Sequence, residues 1–321
     1  MPSYSGAASG TGALEIYLPI AEMPVSIFLL LAMGAAVGFV SGLFGIGGGF
    51  LMTPLLIFLG IPAAVAVATQ SAQIAASSTT GTLNAVRRGA LDLKLALVLT
   101  AGGFVGTLLG VWFFAAIRRA GQLELIIVLS YVTLFTVLGS LMLAESLREL
   151  WWARKGTVRP RRRGGEHPSL MKLPLRIRFP RSRLYSSVIP ILGLALGVGF
   201  IGALLGIGGA FIMVPALLYL FRVPTTVVIG TSQFQVLCTA LLAVVLQATL
   251  NSAVDIILAL ILILGGVFGA QFGARAGRTL RADLFRFLLA ILILAVGLRF
   301  AIELVMRPTE PFSLSVQDQR R

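Results

Sequence analysis

Residues 42–54 read GLFGIGGGFLMTP, and residues 203–215 read ALLGIGGAFIMVP; the two align without a gap and share 8 of 13 positions. The match continues outward. With one extra residue in the second copy, Pro62 meets Pro224, Thr69 meets Thr231 and Gln73 meets Gln235. One further insertion sets Asp92 on Asp255, and Gly102, Gly103, Gly106 and Gly110 on Gly265, Gly266, Gly269 and Gly273. Self-similarity of this length is an internal duplication, and each copy is one structural unit.

The units are apolar. Hydrophobic residues make up 57% of the 321 and charged residues 12%, with a mean hydropathy of +0.96. A soluble domain carries roughly 25% charged residues, so this chain cannot present a polar surface to water on all sides. Runs of about 20 apolar residues read as membrane-spanning helices. The first unit holds five apolar elements: 25–44, 50–60, 63–86, 93–117 and 123–144. The second repeats the order at 188–205, 211–221, 226–250, 256–274 and 284–305. The expected fold is an all-α membrane bundle of 8–10 elements from a duplicated unit. Its organisation is an N-terminal tail (1–24), repeat 1 (25–145), a basic cytoplasmic linker (146–185), repeat 2 (186–305) and a C-terminal tail (306–321). The second and seventh elements have about eleven residues, roughly 16 Å of helix, half of a ~30 Å hydrocarbon core. They read as half-helices, and irregular backbone beside them must be buried in protein or line a wet cavity.

Charge orients the units. The formal net charge is +14, yet twelve of the 26 basic residues fall between Arg148 and Arg183, where the acids are Glu149 and Glu166. Trp151, Trp152 and Tyr185 flank that stretch, as interfacial aromatics do. A basic loop between two apolar halves suits cytoplasmic retention beside anionic lipid headgroups, and nucleic-acid binding is not expected. With five crossings per unit and the loop inside, Arg87, Arg88, Lys94 and Arg275 also fall inside, so the positive-inside rule favours an inverted repeat. The N-terminus carries Glu15 and Glu22 with no basic residue before the first apolar run, unlike a cleaved signal. The single cysteine, Cys238, lies in an apolar helix and supports no disulfide framework.

Two features carry candidate chemistry. Gly45, Gly47, Gly48 and Gly49, and likewise Gly206, Gly208 and Gly209, each stand before a short helix with a proline (Pro54, Pro215). Unpaired N–H groups and the dipole at such a helix start can hold an anion without a charged side chain. The structural alternative is a tight turn that lets helices pack closely. No strand precedes the glycines and no GK[ST] follows, which excludes both nucleotide-binding fingerprints. The second feature is a polar side on the third element, where Thr69, Gln73, Thr80 and Asn84 recur at helical spacing beside Gln70, Ser71 and Ser77. The eighth offers Thr231, Ser232, Gln233 and Gln235. Such groups line a cavity or pair between helices.

The middles of the spans hold no obvious Asp, Glu, Lys or His, and the single histidine, His167, lies in the basic loop. No HExxH motif or paired intramembrane carboxylate is present, so no enzyme, metal or cofactor is expected. Asp92 and Asp255 stand at helix entrances as N-caps. A neutral, dipole-rich site suits an anion better than a cation.

The paired glycine runs followed by apolar-x-x-Pro (Gly45 to Pro54, Gly206 to Pro215), the Thr231-Ser232 signature and the glycine-rich fourth helices together resemble the sulfite exporter TauE/SafE family, over about residues 25–305. The first copy reads Thr69-Gln70-Ser71 where the signature is Thr-Ser, and the basic linker is long for the family. The resemblance implies a multi-pass permease of the cell membrane for small sulfur-containing anions such as sulfite or organosulfonates. An anion channel, or a permease for a neutral or cationic solute, is the alternative. In the expected mechanism the two glycine breaks meet near the midplane around one anion, and one unit rocks against the other. Coupling ion, direction and oligomeric state stay open.

Overall fold

The structure, a computed structural model, describes residues 15–44, 49–154, 176–179, 181–182, 184–221, 223–276 and 282–306. The first repeat contains α1 (Ile27–Phe44), α2 (Gly49–Phe58), α3 (Ala63–Arg87), α4 (Leu93–Arg119) and α5 (Leu123–Arg154). The second contains α6 (Val188–Leu205), α7 (Ala210–Tyr219), α8 (Thr225–Leu246), α9 (Ile256–Ala276) and α10 (Ala282–Met306). The apolar patterning therefore located every helix, and the protein is an all-α polytopic membrane protein. Among the described residues, five helices are each long and apolar enough to cross a bilayer: 93–119, 123–148, 188–205, 226–251 and 256–273. The two short helices are ten residues each, about 15 Å at 1.5 Å per residue.

A β-hairpin stands before the first helix of each repeat, where the sequence reading had only a tail and a linker. Strands β1 (Glu15–Leu18) and β2 (Met23–Ser26) pair antiparallel, as do β3 (Arg176–Phe179) and β4 (Leu184–Ser187). Four-residue strands of mixed character, short beside the common five or six, give little periodic signal. Within the stretch 146–185, α5 runs on to Arg154 and β3 occupies Arg176–Phe179, with β4 starting at Leu184.

Contacts divide the chain into two units, Met1–Glu124 with Arg159–Arg281, and Leu125–Val158 with Ala282–Arg321. This division follows packing rather than the repeats: the fifth helices of both copies make up the smaller unit. Within it α5 and α10 run antiparallel, since Tyr131 stacks on Phe300 and Gly139 meets Leu294.

In the larger unit each repeat packs against the other. Along α1 and α9, Gly34, Gly38 and Gly42 meet Gly265, Gly266 and Ala270 in register, so these helices run parallel. Along α4 and α6, Gly102, Gly106 and Gly110 meet Leu192, Leu196 and Phe200, again parallel. A β-carbon on Gly106 would collide with the Leu196 carbonyl, and one on Gly269 with that of Ala35; the missing side chain is what lets the backbones touch. The repeat-equivalent pair α3 and α8 runs antiparallel, with Gly81 at Gln233 and Ile74 and Ala75 packed with Val236 and Ala240. Equivalent helices that run in opposite directions are related by a two-fold axis across that pair, and the duplication is inverted.

Candidate functional site

The two short helices meet at this axis. Phe50, in the first turn of α2, stacks on its equivalent Phe211 at the start of α7, with ring centroids 4.3 Å apart and planes 9° from parallel. Pro54 and Pro215 stand four residues on in each helix, where a proline cannot bond back to the phenylalanine carbonyl. The second break turns through three glycines of positive φ, Gly206 (68°), Gly208 (75°) and Gly209 (73°), which non-glycine residues adopt at a cost. Gly45, Gly47 and Gly48 lie outside the described residues. Gly49 touches the Ile207 carbonyl and Ile74.

The described part of this meeting point is filled. A β-carbon on Gly206 would lie 2.8 Å from the Val67 carbonyl, on Gly208 2.6 Å from Ile74 Cγ2, and on Gly209 2.6 Å from Val198 Cγ1. Thr53 Oγ1 donates to the Gly206 carbonyl at 3.4 Å. Close packing thus accounts for the described glycines.

The two threonines expected to line the site each reach across to the other repeat. Thr69 Oγ1 accepts the Asp255 backbone N–H at 3.0 Å, and Thr231 Oγ1 accepts that of Asp92 at 3.3 Å. Both aspartates cap helices as expected: Asp92 Oδ1 accepts from Leu95 N and Asp255 Oδ1 from Leu258 N. Their second oxygens tie down the hairpins. Asp92 Oδ2 accepts from Ser182 N and Oγ, and Asp255 Oδ2 from Ile20 N. The two glutamines occupy repeat-equivalent places. Gln73 lies under Gly266 of α9, and Gln235 under Gly103 of α4. Gln70 donates to Gln73 Oε1. Ser71 donates to the Val67 carbonyl and Ser232 to that of Ile229.

Open space lies further along the polar side of α3. A cavity of ≈ 870 Å³ is lined there by Ser77, Thr80, Gly81, Asn84 and Arg88, and faces Thr226, Gly230 and Gln233 of α8. Ser41 and Gly42 of α1 and Gln271 and Arg275 of α9 complete it. Among the described residues its lining holds two arginines, hydroxyls and amides, and no carboxylate. Of the residues expected to bind solute, Gln233 lines this cavity, while Ser71, Gly208 and Gln235 line a crevice of ≈ 10 Å³ on the other side of the axis. The sequence carried a signal for the cavity: the stripe of Gln73 continues through Ser77, Thr80, Asn84 and Arg88 at helical spacing, and Gln271 is the lone amide in an apolar span. Ser41 and Gly42 gave none.

A multi-pass helical bundle of inverted repeats with a polar cavity between them has the architecture of a membrane transporter. The chain belongs to the sulfite exporter TauE/SafE family, whose profile it matches over residues 30–300. It is 29% identical over 219 residues to the "Probable membrane transporter protein YunE" of Bacillus subtilis, covering 65% of this chain and 74% of that one. A "Probable membrane transporter protein" of Xylella fastidiosa is 28% identical over 213 residues, 64% of this chain and 68% of its own. An Arabidopsis thaliana protein, "Sulfite exporter TauE/SafE family protein 5", is 33% identical over 121 residues, 37% of this chain and 27% of its own. No solved structure gives a significant match.

Proposed function

We propose that the protein is a secondary transporter of small anions of the sulfite or organosulfonate type, and that the solute occupies the cavity among α1, α3, α8 and α9. One observation carries the reading: a space of ≈ 870 Å³ whose charged lining residues, among those described, are Arg88 and Arg275, with no carboxylate to repel an anion. Serine, threonine and amide donors around it offer hydrogen bonds to oxyanion oxygens. The positive-inside rule puts the arginine-bearing face in the cytoplasm. The counterpart space on the opposite side is only ≈ 10 Å³, which supports a carrier open to one face over a continuous pore. The solute sits beside the axis, in this reading, rather than on the glycine backbone itself. The basic 148–183 stretch faces anionic lipid headgroups.

The test is flux in proteoliposomes with labelled sulfite, sulfate, methanesulfonate and taurine, against a neutral sugar and a monovalent cation. Saturable flux of sulfite or sulfonates, competed among themselves and not by the sugar or cation, is expected. Sugar or cation flux without anion flux would overturn the reading, and current that does not saturate would make the protein a channel.

A further inference from the structure

The ≈ 10 Å³ crevice among α3, α4, α6 and α8 is not ordinary core. Its polar lining is Ser71, Thr107, Gln235 and Thr239, and Gln235, 1% exposed, has no hydrogen-bond partner among the described residues for either side-chain atom. An amide is costly to bury unpaired, and a space of this size holds about one water. Its counterpart Gln73, by contrast, accepts from Gln70.

The crevice is also the repeat image of the open cavity. The repeat alignment sets Ser77 on Thr239, Gly81 on Ala243, Gln233 on Ser71, and Ala270 on Thr107. The first of each pair lines the cavity and the second the crevice. Because α3 and α8 run antiparallel, the cavity reaches toward the end of α3 that carries Arg88, and the crevice toward the opposite membrane face. There Arg118, at the end of α4, donates to the Asn251 carbonyl at the corner leading into α9, holding together the helices on either side of the crevice.

We infer that this crevice is the closed half of the solute path, leading to the face opposite the arginine-lined cavity, and that the Gln235 amide contacts the anion when it opens. Opening separates α4 from α8, releases Arg118 from Asn251, and gives the Gln235 NH2 an oxyanion acceptor in place of nothing. The inference rests on the transporter reading above.

Two experiments on the full-length protein in liposomes test it. In the first, Gln235→Leu removes an unpaired buried amide at nearly constant shape, so the melting temperature should hold or rise. Methanesulfonate flux should fall about ten-fold or more, the loss expected for one hydrogen bond to a charged group. A lowered melting temperature with flux unchanged per folded molecule would overturn the role of Gln235. In the second, Thr239→Cys, in a Cys238→Ala background, is treated with a membrane-impermeant maleimide from each face, with and without Arg118→Ala. Thr80→Cys is the control for the open cavity. Labelling of Thr239→Cys from the face opposite that which labels Thr80→Cys, faster in the Arg118→Ala variant, is expected. Thr239→Cys refractory from both faces in both backgrounds, with Thr80→Cys labelled and flux intact, would sink the crevice path and leave the transporter reading standing. Opposite-face labelling without flux of any oxyanion or sulfonate would keep the path and remove the anion. Arg118→Lys repeats the comparison if Arg118→Ala does not fold.

Discussion

Thr69 and Asp255 stand 186 positions apart, yet the threonine hydroxyl accepts the aspartate's backbone N–H at 3.0 Å, and Thr231 and Asp92 repeat the bond at 3.3 Å. Each repeat thus satisfies a donor at the entrance of the other's glycine-rich helix. All four residues are buried. Replacing Thr69 with Val keeps the shape and strands that N–H, a loss of about 1–3 kcal/mol. Thermal melts in detergent should show Thr69→Val and Thr231→Val destabilised, with Thr69→Ser close to the parent. Flux per folded molecule should stay near normal. A selective loss of flux at full stability would return Thr69 to the binding site.

The stacked pair Phe50 and Phe211 joins the two repeats at the starts of their short helices. Either Phe→Ala change should cost about 3–5 kcal/mol as a buried cavity forms. The double variant should cost less than the sum by about 0.5–1.5 kcal/mol, the coupling expected of an aromatic pair. Strict additivity in a double-mutant cycle would mean the rings do not sense each other.

Apolar run length and the repeat fixed all ten helices, because a bilayer leaves few other ways to bury such runs. The inverted arrangement followed from where Arg87, Arg88, Lys94 and Arg275 fall. The site was only half legible. Thr69, Gln73, Thr80 and Asn84 share one helix face in sequence, but that face is divided along its length. Its first half meets the partner repeat and its second half meets open space, a distinction set by the crossing of α3 and α8 and not by spacing. The threonines of the Thr-x-x-x-Gln pattern recur because each braces the backbone N–H of the other repeat's aspartate, which looks in sequence like a duplicated ligand set. The hairpins were invisible for a related reason: Ile20 and Ser182 are held by aspartates 235 and 90 positions away.

That long-range tie is itself testable. Ser182 gives Asp92 two hydrogen bonds, at 2.9 Å from N and 2.7 Å from Oγ. Ser182→Ala removes one bond to a charged group, about 1.5–3 kcal/mol before any water replaces it. Asp92→Ala removes both together with the helix cap, and a lost cap alone adds about 0.5–2 kcal/mol. The aspartate variant should therefore melt lower than the serine variant, and amides of 184–187 should exchange faster in both. A Ser182→Ala variant that melts with the parent would mean the serine hydroxyl contributes nothing through Asp92.

Arg88 and Arg275 are exposed on the cavity wall, so their removal should alter solute capture without touching the fold. Fields from two cations in a low-dielectric cleft concentrate anions and raise the on-rate. At an exposed site each charge contributes on the order of 0.2–1 kcal/mol, at the upper end about five-fold in affinity. Arg88→Gln and Arg275→Gln should each raise the half-saturating concentration for methanesulfonate by a few fold, and the pair by more. Maximal flux should stay within about two-fold and melting temperatures unchanged, as solvated charges add little to stability. Raising salt should weaken the parent more than the double variant, since screening acts only on charges still present. If both substitutions leave the half-saturating concentration where it was at low salt, the arginines do not face the solute, and the anion reading of the cavity loses its main support.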